Sequence, residues 1–304
     1  MKSLGRLRLV FCALVLGLGF AASFAAEKKL RVVTTFLPGF NVAANVAGDL
    51  ATVENLVAGN VSLHDFQLSP GELRKLNRAD LVMLNGLGLE TFLDRAVRSG
   101  GKGLQKKLVR LTDGLHGELI HGVHAHAREE EGHDHGHDPH VWLDPMLMAH
   151  GVTNAMRALQ KADPVNAEGY AKNAAAYVAK LHALDAELKE KLAAVKGVPF
   201  ITYHQAFGYF VRRYGLNLAG VVERVPEIPP STRERAELQK TIREKKVRAL
   251  FAEPGGSSAL AKSIAQDTGI KLGELDPLET GELSKESYVE GMRKNAEALV
   301  KGLK

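Results

Sequence analysis

The sequence predicts an α/β protein with two lobes, each a parallel sheet of about four strands flanked by helices, joined by one long backbone helix. Two observations predict this architecture. Short runs rich in β-branched residues alternate with helical patterns in both halves of the chain, which is typical of parallel sheets covered on both faces. One long amphipathic stretch separates the two halves.

Each half contains four short apolar runs that we predict as strands. They are Leu30–Thr35, Thr52–Val57, Leu81–Leu84, Leu108–Leu111, Val198–Tyr203, Leu218–Val222, Val247–Phe251 and Ile270–Leu275. Two helix starts carry a serine followed three residues later by glutamate, the capping-box spacing, at Ser69 and Ser231.

The stretch Val165–Val195 is predicted as the joining helix, because apolar residues recur along it at steps of four and three. Gly197 and Pro199 follow as stop signals. At 1.5 Å per residue the helix would span about 45 Å, enough to run along both lobes. A helix buried within a single domain is the alternative. The predicted organisation is an N-terminal lobe at 27–163, a linker helix at 164–196 and a C-terminal lobe at 197–304.

The first 25 residues have the pattern of a cleaved signal peptide. Lys2, Arg6 and Arg8 precede the apolar stretch Leu9–Phe20, and small residues around Ala25 favour cleavage there. The stretch is shorter than the roughly 20 apolar residues of a membrane-spanning helix, so a retained anchor is the weaker alternative. We therefore expect a secreted protein.

The chain has one cysteine, Cys12, which lies inside this segment. The residues before it, Leu9-Val10-Phe11, lack the small residue expected before a lipidated cysteine, so we predict a protein that is not lipidated. Cleavage then leaves no thiol, and any metal site must use nitrogen and oxygen ligands. Cleavage also lowers the net charge from +5 to +2. With no cluster of Lys and Arg interleaved with aromatics, nucleic acid is not an expected partner.

Four residues are candidate metal ligands. His64, His204 and Asp276 each follow a predicted strand, and ligands in open parallel sheets bind beyond the carboxyl ends of strands. His140 lies in the segment Asp138–Pro145, which reads Asp-Pro-His-Val-Trp-Leu-Asp-Pro. Three imidazoles and one carboxylate match the four nitrogen and oxygen ligands that zinc prefers.

Each candidate also has a plainer interpretation. A lone histidine is more often a surface or hydrogen-bonded residue, and Asp276 could cap the turn that follows its strand. Glu253 ends another predicted strand and is a candidate hydrogen-bond partner of a ligand histidine. A role at a helix terminus is an equal alternative for Glu253.

The segment 116–138 is rich in histidine and acidic residues and poor in apolar ones, so we predict a mobile loop that binds additional zinc ions weakly. A loop that is merely solvated is the alternative. The histidines assigned to this auxiliary binding are His121, His124, His126, His133, His135 and His137.

Taken together, these motifs resemble the zinc/manganese-type periplasmic solute-binding proteins of ABC metal importers, in their zinc-binding subfamily. The resemblance rests on Asp138–Pro145, on His64-Asp65, on Tyr203-His204 and on Leu275-Asp276-Pro277. It implies two lobes joined by a rigid helix, with the metal between them on His64, His140, His204 and Asp276. Manganese-selective members tend to carry glutamate where His204 stands. The family's Pro-Gly-x-x-Pro-His loop is not reproduced before His64.

The resemblance implies a monomeric, non-enzymatic protein that captures zinc in the periplasm and delivers it to an ABC permease in the inner membrane. A manganese- or iron-binding protein on the same scaffold is one alternative. A zinc-dependent hydrolase is another, disfavoured because four protein ligands would close the water position that catalysis needs.

Overall fold

The computed structural model describes residues 29–57, 61, 63, 66–122, 136–224, 228–254 and 258–304. Two four-stranded parallel sheets organise this part of the chain, one in each half. The predicted signal peptide at 1–25 lies outside the described residues.

The two sheets share one topology. In the first, the strands are ordered β2-β1-β3-β4, and in the second β6-β5-β7-β8, with every neighbouring pair parallel. The bounds are β1 Leu30–Thr34, β2 Ala51–Asn55, β3 Leu81–Leu84, β4 Leu108–Arg110, β5 Pro199–His204, β6 Asn217–Glu223, β7 Ala249–Ala252 and β8 Lys271–Glu274. All eight predicted strands are confirmed within one or two residues at each end.

Helices cover the faces of both sheets. They are α1 Leu37–Ala47, α2 Pro70–Arg78, α3 Asp94–Gln105, α4 Pro145–Ala162, α5 Ala167–Leu192, α6 Gly208–Tyr214, α7 Thr232–Glu244, α8 Ser258–Thr268 and α9 Ser287–Leu303. Ser69 and Ser231 form the predicted capping boxes at the starts of α2 and α7. Among the described residues, none of these helices combines the length and apolar character needed to cross a membrane.

The predicted joining helix is α5, flanked by single 3-10 turns at Pro164–Asn166 and Ala193–Val195. Its apolar stripe is buried along the whole length. The stripe consists of Tyr170, Ala174, Tyr177, Leu181, Leu184, Leu188 and Leu192. It packs on α4, α1 and α9, and the resulting core continues from the first lobe into the second. Burying each leucine of this stripe contributes about 1.5–3 kcal/mol.

The lobes are also joined by hydrogen bonds between buried groups. The indole nitrogen of Trp142 donates to the carbonyl of Pro277 at 2.7 Å. The hydroxyl of Tyr288 on α9 donates to the carbonyl of Trp142 at 2.6 Å. The amide of Leu37, at the start of α1, donates to the carbonyl of Glu279 at 3.1 Å. These bonds fix the segment 277–279 of the second lobe against the first lobe.

Candidate metal site

Three buried side chains converge where the two lobes meet: His140, His204 and Glu279. Their ligand atoms all lie within 4.8 Å of one another. The Nε2 atoms of the two histidines are 3.4 Å apart. The Glu279 Oε1 atom lies 3.2 Å from Nε2 of His140 and 3.9 Å from Nε2 of His204.

Two of these separations, 3.4 and 3.2 Å, are close to those of a tetrahedral metal site, and the third, 3.9 Å, is longer. With bonds of about 2.0–2.1 Å, tetrahedral ligands lie about 3.3–3.4 Å apart, whereas neighbouring octahedral ligands at the same bond length lie about 2.8–3.0 Å apart. None of the three observed separations is as short as the octahedral value. The cluster therefore has the nitrogen and oxygen donors, and the close spacing, that a divalent transition-metal ion requires.

His140 is oriented by Asp138. One carboxylate oxygen of Asp138 accepts hydrogen bonds from the backbone N–H of His140 at 3.0 Å and from its ring Nδ1 at 2.6 Å. With Nδ1 occupied in this way, Nε2 faces the centre of the site. Burial lowers the pKa of His140, but the charges and hydrogen bonds of Asp138 and Glu279 outweigh burial and raise the pKa to about 10. The imidazole therefore carries a proton at neutral pH when no metal is bound.

His204 is held in the same manner by a second carboxylate. It is the last residue of β5, the second strand from one edge of its sheet. Glu253, which follows β7, accepts from the ring Nδ1 of His204 and, at 3.4 Å, from its backbone N–H. Nε2 of His204 consequently points toward His140. From the sequence, Glu253 was a candidate hydrogen-bond partner of a ligand histidine, with a role at a helix terminus as the equal alternative.

Glu279 was not among the sequence candidates. It follows Leu278, which adopts a left-handed backbone conformation with φ of 60°. This kink, together with the bond from Leu37 to the Glu279 carbonyl, directs the side chain into the site. The only sequence signal was its closeness to the strand end at Leu275, since the cross-lobe bond that positions it is tertiary.

The carboxylate of Asp276 takes part in its own turn. One carboxylate oxygen accepts a hydrogen bond from the backbone N–H of Leu278 at 2.7 Å. The backbone N–H of Asp276 donates to the side-chain oxygen of Asn295, and the backbone C=O of Asp276 accepts from the side-chain amide of Asn295. Burial raises the pKa of Asp276, and the neighbouring Glu253 and Glu279 raise it further. Asp276 is not part of the described cluster of ligand atoms. Its role as a ligand stays a prediction.

The remaining candidates lie partly outside the described residues. His64 is one of them, although the preceding Leu63 is buried and the ring of the nearby Phe66 packs edge-on against Phe92 at 4.9 Å. Of the six histidines assigned to weak binding, His121 and His137 are among the described residues. They form an isolated antiparallel bridge with stacked rings, whose centroids are 5.3 Å apart. His124, His126, His133 and His135 lie outside the described residues, and weak binding by this segment stays a prediction.

A family model described as zinc-uptake complex component A, periplasmic, matches residues 32–302. The chain belongs to this family. The resemblance found in the sequence is thereby confirmed, and with it the two-lobed α/β fold.

Two curated relatives carry zinc in their names. The zinc-binding lipoprotein AdcA of Streptococcus pneumoniae is 35% identical over 306 residues, a match that covers 98% of this chain and 60% of AdcA. The chain thus spans less than two thirds of the length of that relative. The high-affinity zinc uptake system protein ZnuA of Bacillus subtilis is 34% identical over 287 residues, covering 89% of this chain and 86% of ZnuA.

Solved structures show the same fold with different metals. Zn(II)-bound AdcA from Streptococcus pneumoniae aligns with a TM-score of 0.73 and 30% identity, covering 90% of this chain and 58% of AdcA. The solute-binding protein FpvC of Pseudomonas aeruginosa, in complex with Mn²⁺, aligns with a TM-score of 0.80 and 27% identity, covering 91% and 99% of the two chains. The shared scaffold therefore does not by itself decide the metal.

Proposed function

We propose that this zinc-uptake family member captures one zinc ion tightly in the periplasm and delivers it to the permease of an ABC importer in the inner membrane. The observation that carries the proposal is the buried cluster of His140, His204 and Glu279, in which two of the three ligand-atom separations are close to tetrahedral values. Zinc is the cargo of this site and not a resident cofactor. The names of AdcA and ZnuA support the choice of zinc.

We assign the nitrogen ligands to His140, His204 and His64, and the carboxylate ligand to Glu279. His64 lies outside the described residues, but it directly follows the buried Leu63 in the sequence, a few residues after the end of β2. Asp276, in this assignment, holds the turn that presents Glu279. Four protein ligands complete a tetrahedral sphere, so no position is left for a catalytic water. We therefore propose a binding protein and not the alternative hydrolase.

A manganese- or iron-binding protein is the second candidate, because FpvC binds Mn²⁺ on the same scaffold. The imidazole-rich ligand set of this chain disfavours it, since manganese prefers carboxylate, carbonyl and water oxygens. Zinc and manganese titrations of the metal-free protein discriminate the two candidates. Tighter binding of manganese than of zinc would overturn the choice of cargo.

The carboxylate assignment is tested with a matched pair of variants, Glu279→Gln and Asp276→Asn. Both replace a carboxylate by an amide of the same size in the same turn. We expect Glu279→Gln to weaken zinc binding at least tenfold, because it removes a charged ligand from a buried site. Asp276→Asn retains an oxygen that can accept from Leu278 and should keep affinity near that of the natural chain. The reverse ranking would make Asp276 the ligand.

The cellular part of the proposal is tested by fractionation and by partner capture. We expect the mature chain in the periplasmic fraction as a monomer, and cross-linking in membranes should join it to an ABC permease. AdcA is named a lipoprotein, whereas we propose that this chain is released without a lipid anchor. Retention of the mature chain in the membrane fraction after cleavage would contradict that proposal.

A further inference from the structure

A tyrosine of the second lobe reaches into the first lobe beside the metal site. Tyr209 lies on α6, is fully buried, and packs its ring with Leu115, Val141 and Leu147 of the first lobe. Its hydroxyl accepts from the backbone N–H of Ile120 at 3.1 Å and donates to the backbone carbonyl of Asp138 at 2.7 Å. One hydroxyl thus makes two cross-lobe hydrogen bonds.

These two backbone groups lie at the base of the histidine-rich segment. The N–H of Asp138 donates to the carbonyl of Ile120 at 2.8 Å, and the N–H of Gly122 donates to the carbonyl of Gly136 at 2.9 Å. The Tyr209 hydroxyl closes the end of this short antiparallel pair. Without the hydroxyl, the half-buried N–H of Ile120 and the buried carbonyl of Asp138 would each lose a hydrogen-bond partner.

The same helix also packs on the carboxylate of Asp138. A Cβ added at Gly208, the residue before Tyr209, would lie 3.0 Å from Oδ2 of Asp138 and 3.4 Å from Cδ1 of Ile120. The start of α6 therefore contacts Asp138 at both its carboxylate and its carbonyl. Asp138 in turn holds both the backbone N–H and the Nδ1 of His140.

Helix α6 is equally close to the other histidine ligand. His204 precedes Gly208 by four residues, and the intervening turn is fixed by a bond from the N–H of Ala206 to the carbonyl of His204 at 3.0 Å. Movement of α6 relative to Asp138 would therefore change the separation between His140 and His204. The hydroxyl of Tyr209 bonds α6 directly to the carbonyl of Asp138.

We infer that Tyr209 is a positioning residue for metal capture, which holds Asp138 and α6 together so that His140 and His204 stand at zinc-binding distance before the ion arrives. This inference rests on the proposed function of the His140 and His204 pair. Tyr209 does not contact the ion. Its effect is preorganisation, because ligands already at the required distance need not be ordered by the metal.

The test compares Tyr209→Phe with Tyr170→Phe in the mature chain. Tyr170 is also a buried tyrosine, and its hydroxyl donates to Asp163 at 2.7 Å, at the junction of α4 and α5. Both substitutions remove one hydroxyl and keep the ring. Outer hydrogen-bond partners of metal ligands typically contribute about 10–100-fold in affinity, and Tyr209 acts one step further out, so we expect a loss of about tenfold for Tyr209→Phe. Tyr170→Phe should keep the natural affinity.

The measurements are zinc competition with a chelator, the zinc dissociation rate, the visible spectrum of the Co²⁺-loaded protein and the melting temperature of the metal-free form. Tyr209→Phe should release zinc faster and alter the Co²⁺ spectrum, with a melting temperature near that of Tyr170→Phe. Natural affinity and spectrum in Tyr209→Phe would overturn the inference. Equal losses of affinity in both variants would do the same, since they would reflect general stability.

A second variant, Gly208→Ala, keeps the inference testable if Tyr209→Phe does not fold. Alanine suits a helix, and its methyl group would press on Asp138 and Ile120, so zinc affinity should again fall. Natural affinity in Gly208→Ala would count against the positioning role of this contact. Failure of the proposed function gives a different pattern, since Glu279→Gln would then bind zinc as the natural chain does.

Discussion

Zinc affinity should keep rising with pH well above neutrality. Burial alone would lower the pKa of His140, but Asp138 and Glu279 outweigh burial and raise this pKa to about 10. Zinc binds the neutral imidazole, so the ion must displace one proton from His140 at any pH below that value. The apparent affinity should then increase about tenfold per pH unit through the range 7–9 from His140 alone. An ordinary histidine, with a pKa of about 6.5, would give a plateau above pH 7.5.

Calorimetry in buffers of different ionisation enthalpy measures the protons released on zinc binding, and chelator competition gives the affinity at each pH. About one proton should be released at pH 8, where ordinary histidines release almost none. Asp138→Asn is the informative variant, because it removes the largest influence that raises the pKa of His140. Its affinity should be lower and should flatten above neutral pH. An affinity of the natural chain that is flat between pH 7.5 and 9 would refute the reasoning.

Further outcomes are expected from the same structure. The metal-free protein should lose stability as the pH rises from about 6.5 through about 10. The reason is that His140, whose pKa is raised on folding, stabilises the fold only while it is protonated. Thermal melts at several pH values check this. Deleting Gly122–Gly136 should leave the tight zinc site and remove weaker ones, as read by chelator titration; loss of the tight site would place the primary ligands in the loop. Leu184→Ala, at a fully buried position of α5, should lower the free energy of unfolding by about 2–5 kcal/mol in denaturant melts. The mature chain should begin at Ala26, as mass spectrometry would show, and a lipid-modified Cys12 would contradict this.

Much of the fold could be predicted because its signals are local. The strand runs are bounded by turn residues, Ser69 and Ser231 carry complete capping boxes, and the stripe of α5 repeats with helical period. Each of these features is decided by residues within a few positions of one another. Strand and helix assignments therefore needed no knowledge of tertiary contacts.

The candidate site was predictable only in part, for a physical reason. His204 follows from its strand, and His140 was selected through the motif around it. Glu279 depends on the left-handed conformation of Leu278 and on a hydrogen bond from Leu37, more than 200 residues earlier in the chain. Asp276 stands directly at the strand end, where a ligand is expected, yet its carboxylate accepts from Leu278. The local sequence pattern could not show which of these two carboxylates faces the histidines.

The electrostatics of the site explain how its two histidines can lie close together. Asp138, Glu253 and Glu279 bring three carboxylates to two imidazoles in a largely buried space. Uncompensated charge is costly there, and the proton on His140 compensates part of it. Under the proposed function, an arriving zinc ion would replace that proton with a larger positive charge at the same place. Capture would then be an exchange of one cation for another, and the ligands would need little rearrangement. The cross-lobe hydrogen bonds of Tyr209, Trp142 and Leu37 also limit rearrangement, because they fix the elements that carry the ligands.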